Sequence, residues 1–201
     1  MIRFLGIMAV AFTIFAGSSL AQDYRVDTET SLLKWKGEKI GKQHYGTIDI
    51  KDGYLTKTGD NFSGEFRVDM TTMKNDDIKD AEYNAKLIGH LKSDDFFSVE
   101  KHNTTTFKIK SISSYKPKKD QYGNYWVKGD LTIKGITNEI GFPAELKFDS
   151  KGFTAKADIV IDRSKWDVRY GSGSFFDNLG DKMISDDIKF ELSLVGNVRS
   201  L

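Results

Sequence analysis

Residues 140–161 read IGFPAELKFDSKGFTAKADIVI. Every second side chain from Ile140 is apolar (Ile140, Phe142, Ala144, Leu146, Phe148), and the same holds from Phe153 (Phe153, Ala155, Ala157, Ile159, Ile161). Successive side chains on a strand point to opposite faces, so each run reads as a strand with one apolar face. Between them, Asp149-Ser150-Lys151-Gly152 carries turn chemistry, and the pair reads as an antiparallel hairpin.

The same period recurs along the chain. Phe62, Gly64, Phe66, Val68 and Met70 share one face, with Glu65, Arg67 and Asp69 on the other; Ile188, Phe190, Leu192 and Leu194 form another row. Shorter rows are Ile48 with Ile50, Phe107 with Ile109, and Tyr125, Val127, Leu131 and Ile133. Asp52-Gly53 reads as a hairpin turn, 117–124 (PKKDQYGN) as a longer polar one, and 134–138 (KGITN) as a tight one. Both prolines lie at or near turns, where a missing amide proton is tolerated.

One segment changes period. Ile78, Ala81, Ala85, Ile88 and Leu91 fall at helical spacing over 75–91, with Asn75 as the cap and acidic residues in the first turn. A further helical turn is expected at 93–97, and 172–186 reads as an irregular loop. The fold class that follows is all-β: an eight-stranded antiparallel β-barrel with one α-helix between strands. Closure removes edge strands, and about eight strands enclose a space for one small ligand. A two-sheet sandwich is the alternative that pattern alone leaves open.

Composition narrows the function. The 201 residues include 30 Lys plus Arg against 29 Asp plus Glu, without the concentrated basic face that nucleic acid needs. Residues 1–21 read as a secretory signal peptide: Arg3, an apolar run over 4–16, then Ser19 and Ala21 before a cleavage point. That run is shorter than the roughly 20 apolar residues of a membrane span. Residues 22–201 then form one domain, periplasmic or secreted, with no integral membrane segment after signal removal. The chain has no cysteine, which excludes disulfides, thiolate metal sites and a lipid-modified cysteine anchor. The mature chain is near neutral, so bulk charge gives no sign of an anionic membrane partner.

Signatures of chemistry are weak. His44, His90 and His102 lack metal-ligand spacing, and no GxSxG motif occurs. Adjacent carboxylates such as Asp76-Asp77 and Asp186-Asp187 point to opposite faces of a strand. The glycines of YGSGS (170–174) feed no helix that would hold a phosphate. Tyr115, Tyr122, Tyr125 and Trp126, beside Lys116, Lys118 and Lys119, read as a solvated hairpin tip. No catalytic residue, metal or cofactor is therefore assigned. The inward rows are rich in phenylalanine and aliphatic side chains and almost free of charge.

Four stretches resemble the YceI family of exported lipid-binding proteins: YRVDTETSLLKWKGEKIG (24–41), HLKSDDFFSVEKHNTTTFKIKSI (90–112), GDLTIKGITNEIGFPAEL (129–146) and IDRSKWDVRYG (161–171). Many members carry a histidine late in the first strand pair, where this chain reads WKGEKIGKQHYG and places His44 a few residues downstream. The resemblance implies an extended lipocalin-like barrel whose apolar pore holds a polyisoprenoid or comparable long-chain lipid. The expected pore lining is Phe62, Phe66, Val68, Phe142, Leu146, Phe153, Ile159, Trp166, Tyr170 and Phe190. Trp166 and Tyr170 are placed on a strand that runs on from Ile161. Arg163 and Arg169 are the expected head-group contacts at the mouth. The expected role is a carrier, not an enzyme. An enzyme acting on a lipid in the same cavity, or a ligand-free structural or stress-response protein, are the alternatives, and dimerisation stays open.

Overall fold

The computed structural model describes residues 20–119 and 122–199, so the segment read as a signal peptide lies, up to residue 19, outside the described residues. The chain runs β1 (Ala21–Val26), β2 (Leu32–Lys39), β3 (Lys42–Ile48), β4 (Ile50–Thr58), β5 (Asn61–Asp69), β6 (Lys74–Asn75), α1 (Ala81–Lys92), β7 (Thr104–Ser114), β8 (Tyr125–Ile133), β9 (Ile136–Phe148), β10 (Gly152–Asp162) and β11 (Ile184–Val198). The ring β1-β4-β5-β7-β8-β9-β10-β11 closes through a β1–β11 pairing, and all these pairs are antiparallel. β2 pairs further along the same β11, and β3 pairs with β2, so β1 and β2 share one stave and β3 and β4 another. The barrel is eight-stranded and closed, with a single α-helix among the described residues, as the pattern predicted.

The hairpin that decided the fold is present. Phe153 pairs with Phe148, and Asp149 Oδ1 accepts the amides of Lys151 (2.7 Å) and Gly152 (2.9 Å). The 134–138 turn is tighter than expected: Lys134 and Gly135, at φ 51° and 75°, make the whole connection between β8 and β9. The turn expected at Asp52-Gly53 is not there, because β4 runs straight through it. Gly53 instead faces Phe66, whose ring would lie 2.7 Å from an added Cβ. The β4–β5 reversal comes at Gly59-Asp60, where Gly59 has φ 60°.

The helix also starts later than expected. Asp80 is its cap, accepting the amides of Glu82 and Tyr83 at 3.0 Å each. Asn75 lies in β6 with a buried side chain that has other partners. Its Nδ2 donates to the Tyr45 carbonyl (3.0 Å) and to Asp77, and its Oδ1 accepts the Ile78 amide (3.0 Å). These bonds tie the approach to α1 onto β3. At Gly46 the two strands come so close that a Cβ would sit 1.9 Å from the Lys74 carbonyl oxygen.

Candidate functional site: a lumen packed at one end and open at the other

Where β4 meets β5 and β9 meets β10, aromatic rings fill the lumen. Tyr24 lies 5.5 Å from Phe153 and 5.7 Å from Phe148, and Phe62 lies 5.9 Å from Phe148. Leu146 and Ala144 are buried in the same cluster. Three expected pore residues, Phe62, Leu146 and Phe153, therefore sit in a packed plug and not on the wall of the cavity.

Beyond the plug the lumen opens into a cavity of about 300 Å³. Of the residues named from the sequence, Phe66, Val68, Phe142, Ile159 and Phe190 lie on its wall, and Tyr170 stands at its edge. Sequence reasoning missed the β2 and β3 side chains Leu33, Trp35 and Ile48, and the helix side chains Leu87 and Leu91. The helix covers the side of the barrel beyond the end of β5, which a row-by-row reading of strands does not reveal. Trp35 is fixed by its indole N–H, which donates to the Lys74 carbonyl at 3.0 Å.

Polar side chains line the cavity at its open end. Lys39 and Lys42 face each other across the β2–β3 hairpin, and His44 pairs with Gly37 one step inward. His44 Nδ1 lies 2.8 Å from Asp77 Oδ2, and Asp77 Oδ1 accepts the Tyr45 amide at 2.9 Å. Burial alone would raise the Asp77 pKa. Hydrogen bonds from the Tyr45 amide, His44 and Asn75 outweigh it and hold the carboxyl below its ordinary value. The pair fixes the imidazole, whose Nε2 has no protein partner among the described residues. On the far side His90 sits edge-on to Tyr170, ring centres 4.4 Å apart, joining the helix to the 163–183 loop. Alternation could have found these residues: Leu33, Trp35, Gly37 and Lys39 form one inward row, and Lys42, His44, Gly46 and Ile48 another.

The stretch 161–171 behaves differently from its reading. β10 ends at Asp162, whose side chain accepts the Ser164 amide (3.0 Å) and caps a 3-10 turn over Arg163–Trp166. Trp166, 1% exposed, packs with Ile133, Ile161 and Ile188 and donates its indole N–H to the Leu131 carbonyl at 3.0 Å. It is not among the cavity's lining residues, because the chain turns before it and drives the ring between strands. Arg163 is equally buried. It donates to the carbonyls of Ser185 (3.1 Å), Val168 (2.9 Å) and Ile184 (3.3 Å), and its Nη2 lies 3.3 Å from Asp186 Oδ1. That carboxylate oxygen accepts no hydrogen bond, so their attraction is purely coulombic. Burial pulls the Arg163 pKa down, against Asp186 and Asp162, which raise it. Its guanidinium reaches the cavity wall but is committed to main-chain carbonyls. Arg169 is exposed, pairs with Asp167 at 2.5 Å and stacks over Phe175 at 5.0 Å, outside the lining.

A model of the YceI-like domain matches residues 24–196. The chain belongs to that family. Similar solved structures include Burkholderia cenocepacia BcnA, 21% identical with a TM-score of 0.61 over 85% of this chain and 98% of that one. A polyisoprenoid binding domain from Saccharophagus degradans, 11% identical, has a TM-score of 0.60 over 88% of this chain and 98% of that one. At these identities the likeness is one of fold. A UPF0312 protein of Staphylococcus aureus strain USA300 is 38% identical over 111 residues, 52% of this chain and 57% of that relative, so the match spans little more than half of either. Among the described residues of this YceI-like protein, no group of three or more His, Asp or Glu is placed to hold a metal ion. No described helix is long and apolar enough to cross a membrane.

Proposed function

We propose that this YceI-like protein is an exported carrier that holds a long apolar chain, a polyisoprenoid or comparable lipid, in the open half of its barrel. The observation that carries the reading is the partition of the lumen: an apolar cavity of about 300 Å³ closed by aromatic rings at one end and edged by Lys39, Lys42, His44 and His90 at the other. Each methylene moved from water into such a space contributes about 0.8 kcal/mol, offset in part by the ordering of the chain. The tail enters toward Phe142 and Phe107, and the polar end of the ligand stays with the lysines and imidazoles. Arg163 and Arg169, the first candidates for that contact, are engaged by carbonyls and by Asp167 and play a structural part. The Saccharophagus domain of similar fold, named for polyisoprenoid binding, supports the ligand class. Export rests on the signal peptide read over residues 1–21.

Mass spectrometry of an organic extract of the protein, purified from its native host without detergent, tests the reading. A stoichiometric long-chain lipid is the expected result. An empty extract, together with no uptake of added polyprenyl lipids, would sink it.

A further inference from the structure

The open end carries more apolar surface than a cavity mouth requires. Ile40, at the tip of the β2–β3 hairpin, is 62% exposed, Phe176 49% and Met183 41%. The chain brings them to one rim. Ile40 lies between Lys39 and Lys42, which both line the cavity. Ile184 also lines it and pairs with Lys39, which sets Met183 beside the hairpin tip. Ser172 bridges to Ile184, and the Phe175 and Phe176 amides bond back to the Ser172 carbonyl at 3.2 and 3.1 Å, so that loop is fastened to the same edge. Tyr170 completes the rim from inside the mouth. At the packed end the turns Gly59-Asp60 and 149–151 carry no apolar side chain, while the 115–124 connection carries Tyr115 and Tyr122 among lysines.

Charge on the rim is arranged as well. Among the described residues neither Lys39 nor Lys42 has a carboxylate within 4.0 Å, while Glu38 beside them is held by Lys36 and Lys189. In the facing loop Lys182 is outnumbered by Asp177 and Asp181, so the positive charge of the rim is confined to the hairpin tip. The near-neutral total for the chain conceals this placement.

We propose that the open end of the barrel docks on the surface of an anionic phospholipid bilayer. Ile40, Phe176 and Met183 enter the head-group layer, Lys39 and Lys42 meet lipid phosphates, and the cavity mouth faces the membrane with which it exchanges its lipid. The proposal rests on the carrier reading for its purpose but not for its test. An apolar rim flanked by cations is the chemistry of interfacial binding, where apolar insertion and attraction to anionic lipid add together. The occupant fits because the apolar surface is continuous with an apolar cavity and the unpaired cations lie at the same opening.

Flotation of the full-length mature protein with vesicles decides it. On vesicles of phosphatidylcholine containing phosphatidylglycerol the wild type floats, and removing the phosphatidylglycerol weakens binding by about fivefold per lysine. The double variant Ile40→Asp, Phe176→Asp weakens binding by about tenfold or more, with unchanged circular dichroism and unchanged co-purified lipid; Met183→Glu alone gives a smaller loss in the same direction. A wild type that stays at the bottom of the gradient, or a double variant that floats equally well, overturns the proposal. So does a wild-type dimer that the same substitutions split and that does not float, which would assign the rim to a second copy. Co-purified lipid is read separately, so a failed carrier reading and a failed docking surface give different results.

Discussion

Where β4 turns into β5, Tyr24, Phe62, Phe148 and Phe153 crowd their rings into the lumen; where β2 turns into β3, the same lumen stands open and is edged by lysine and histidine. Both halves are built from the same staves with the same alternation. The difference lies in what the inward positions hold and in what covers them. At the packed end, staves meet on all sides and rings from opposite walls touch. At the open end, β3 continues past the end of β5, and the helix, held by Asn75 and Asp77, covers the gap without filling it. One end spends its aromatic side chains on stability, and the other keeps its volume for a guest.

Substitutions at the two ends separate these roles. Phe153→Ala removes a ring buried to 3% exposure that touches Tyr24 and Phe148, and a loss of about 3–5 kcal/mol in urea denaturation is expected. Ile159→Ala, on the cavity wall, gives up fewer contacts and costs about 2 kcal/mol, the low end for such a truncation. Equal losses would mean that the cavity half is packed as tightly as the plug, and the comparison would break.

Asn75→Ala comes next, at about 2–3 kcal/mol, because it leaves the Ile78 amide without its acceptor and takes one donor each from Asp77 and from the Tyr45 carbonyl, which keeps the Asp76 amide. Amide exchange locates the damage: helix amides should lose protection while those of β9 and β10 keep theirs. A uniform loss would show that helix and barrel open as one unit.

A third substitution reverses the emphasis. Ile159→Trp places a large ring in the open lumen, so bound lipid per protein should fall by about tenfold or more while the urea midpoint moves little. Unchanged lipid content would put the guest elsewhere.

The smallest effect is in pH. The Asp77 carboxyl is held below its ordinary value, so its contribution is present above a pH of about 3.9 and is lost as pH falls through the lower folded-state value. Wild type and Asp77→Asn should differ in urea midpoint at neutral pH and converge in acid, once the Asp77 carboxyl is protonated in the folded protein as well. A gap that persists in acid would remove Asp77 from the account.

Much of this architecture was legible in the rows of alternating residues, because the side-chain period of a strand is local. The eight staves, the 149–152 turn, the helix and the apolar lumen all follow from it. Depth along the barrel does not. Phe62 and Phe66 stand on the same face of the same strand, yet one belongs to the plug and the other to the cavity, since rings distant in sequence decide which height is filled. Gly53 looked like a turn because a glycine after aspartate fits one; its use as clearance for Phe66 needs the neighbouring strand. Asn75 looked like a cap for the same reason, whereas its bonds run to β3. The Arg163–Trp166 turn ends the strand where the apolar row itself stops, since Arg163, Lys165 and Asp167 follow Ile161 on that row and Trp166 and Tyr170 fall on the opposite parity. His44 and Lys39 stand on inward rows that alternation reveals, but alternation does not say that these rows end at the mouth of a cavity.

β11 has a consequence for how the molecule comes into being. It is the last strand, and it pairs with both β1 and β2, so the Tyr24–Val198 and Trp35–Phe190 contacts join residues more than 150 positions apart. A chain emerging from its N-terminus can form the β4–β5 and β7–β8 hairpins early, but it remains a curved, open sheet until residues 184–198 arrive. Until then neither plug nor cavity exists, and the inward phenylalanines face solvent. The interval before that strand is supplied is when the molecule most needs protection from sticking to its neighbours.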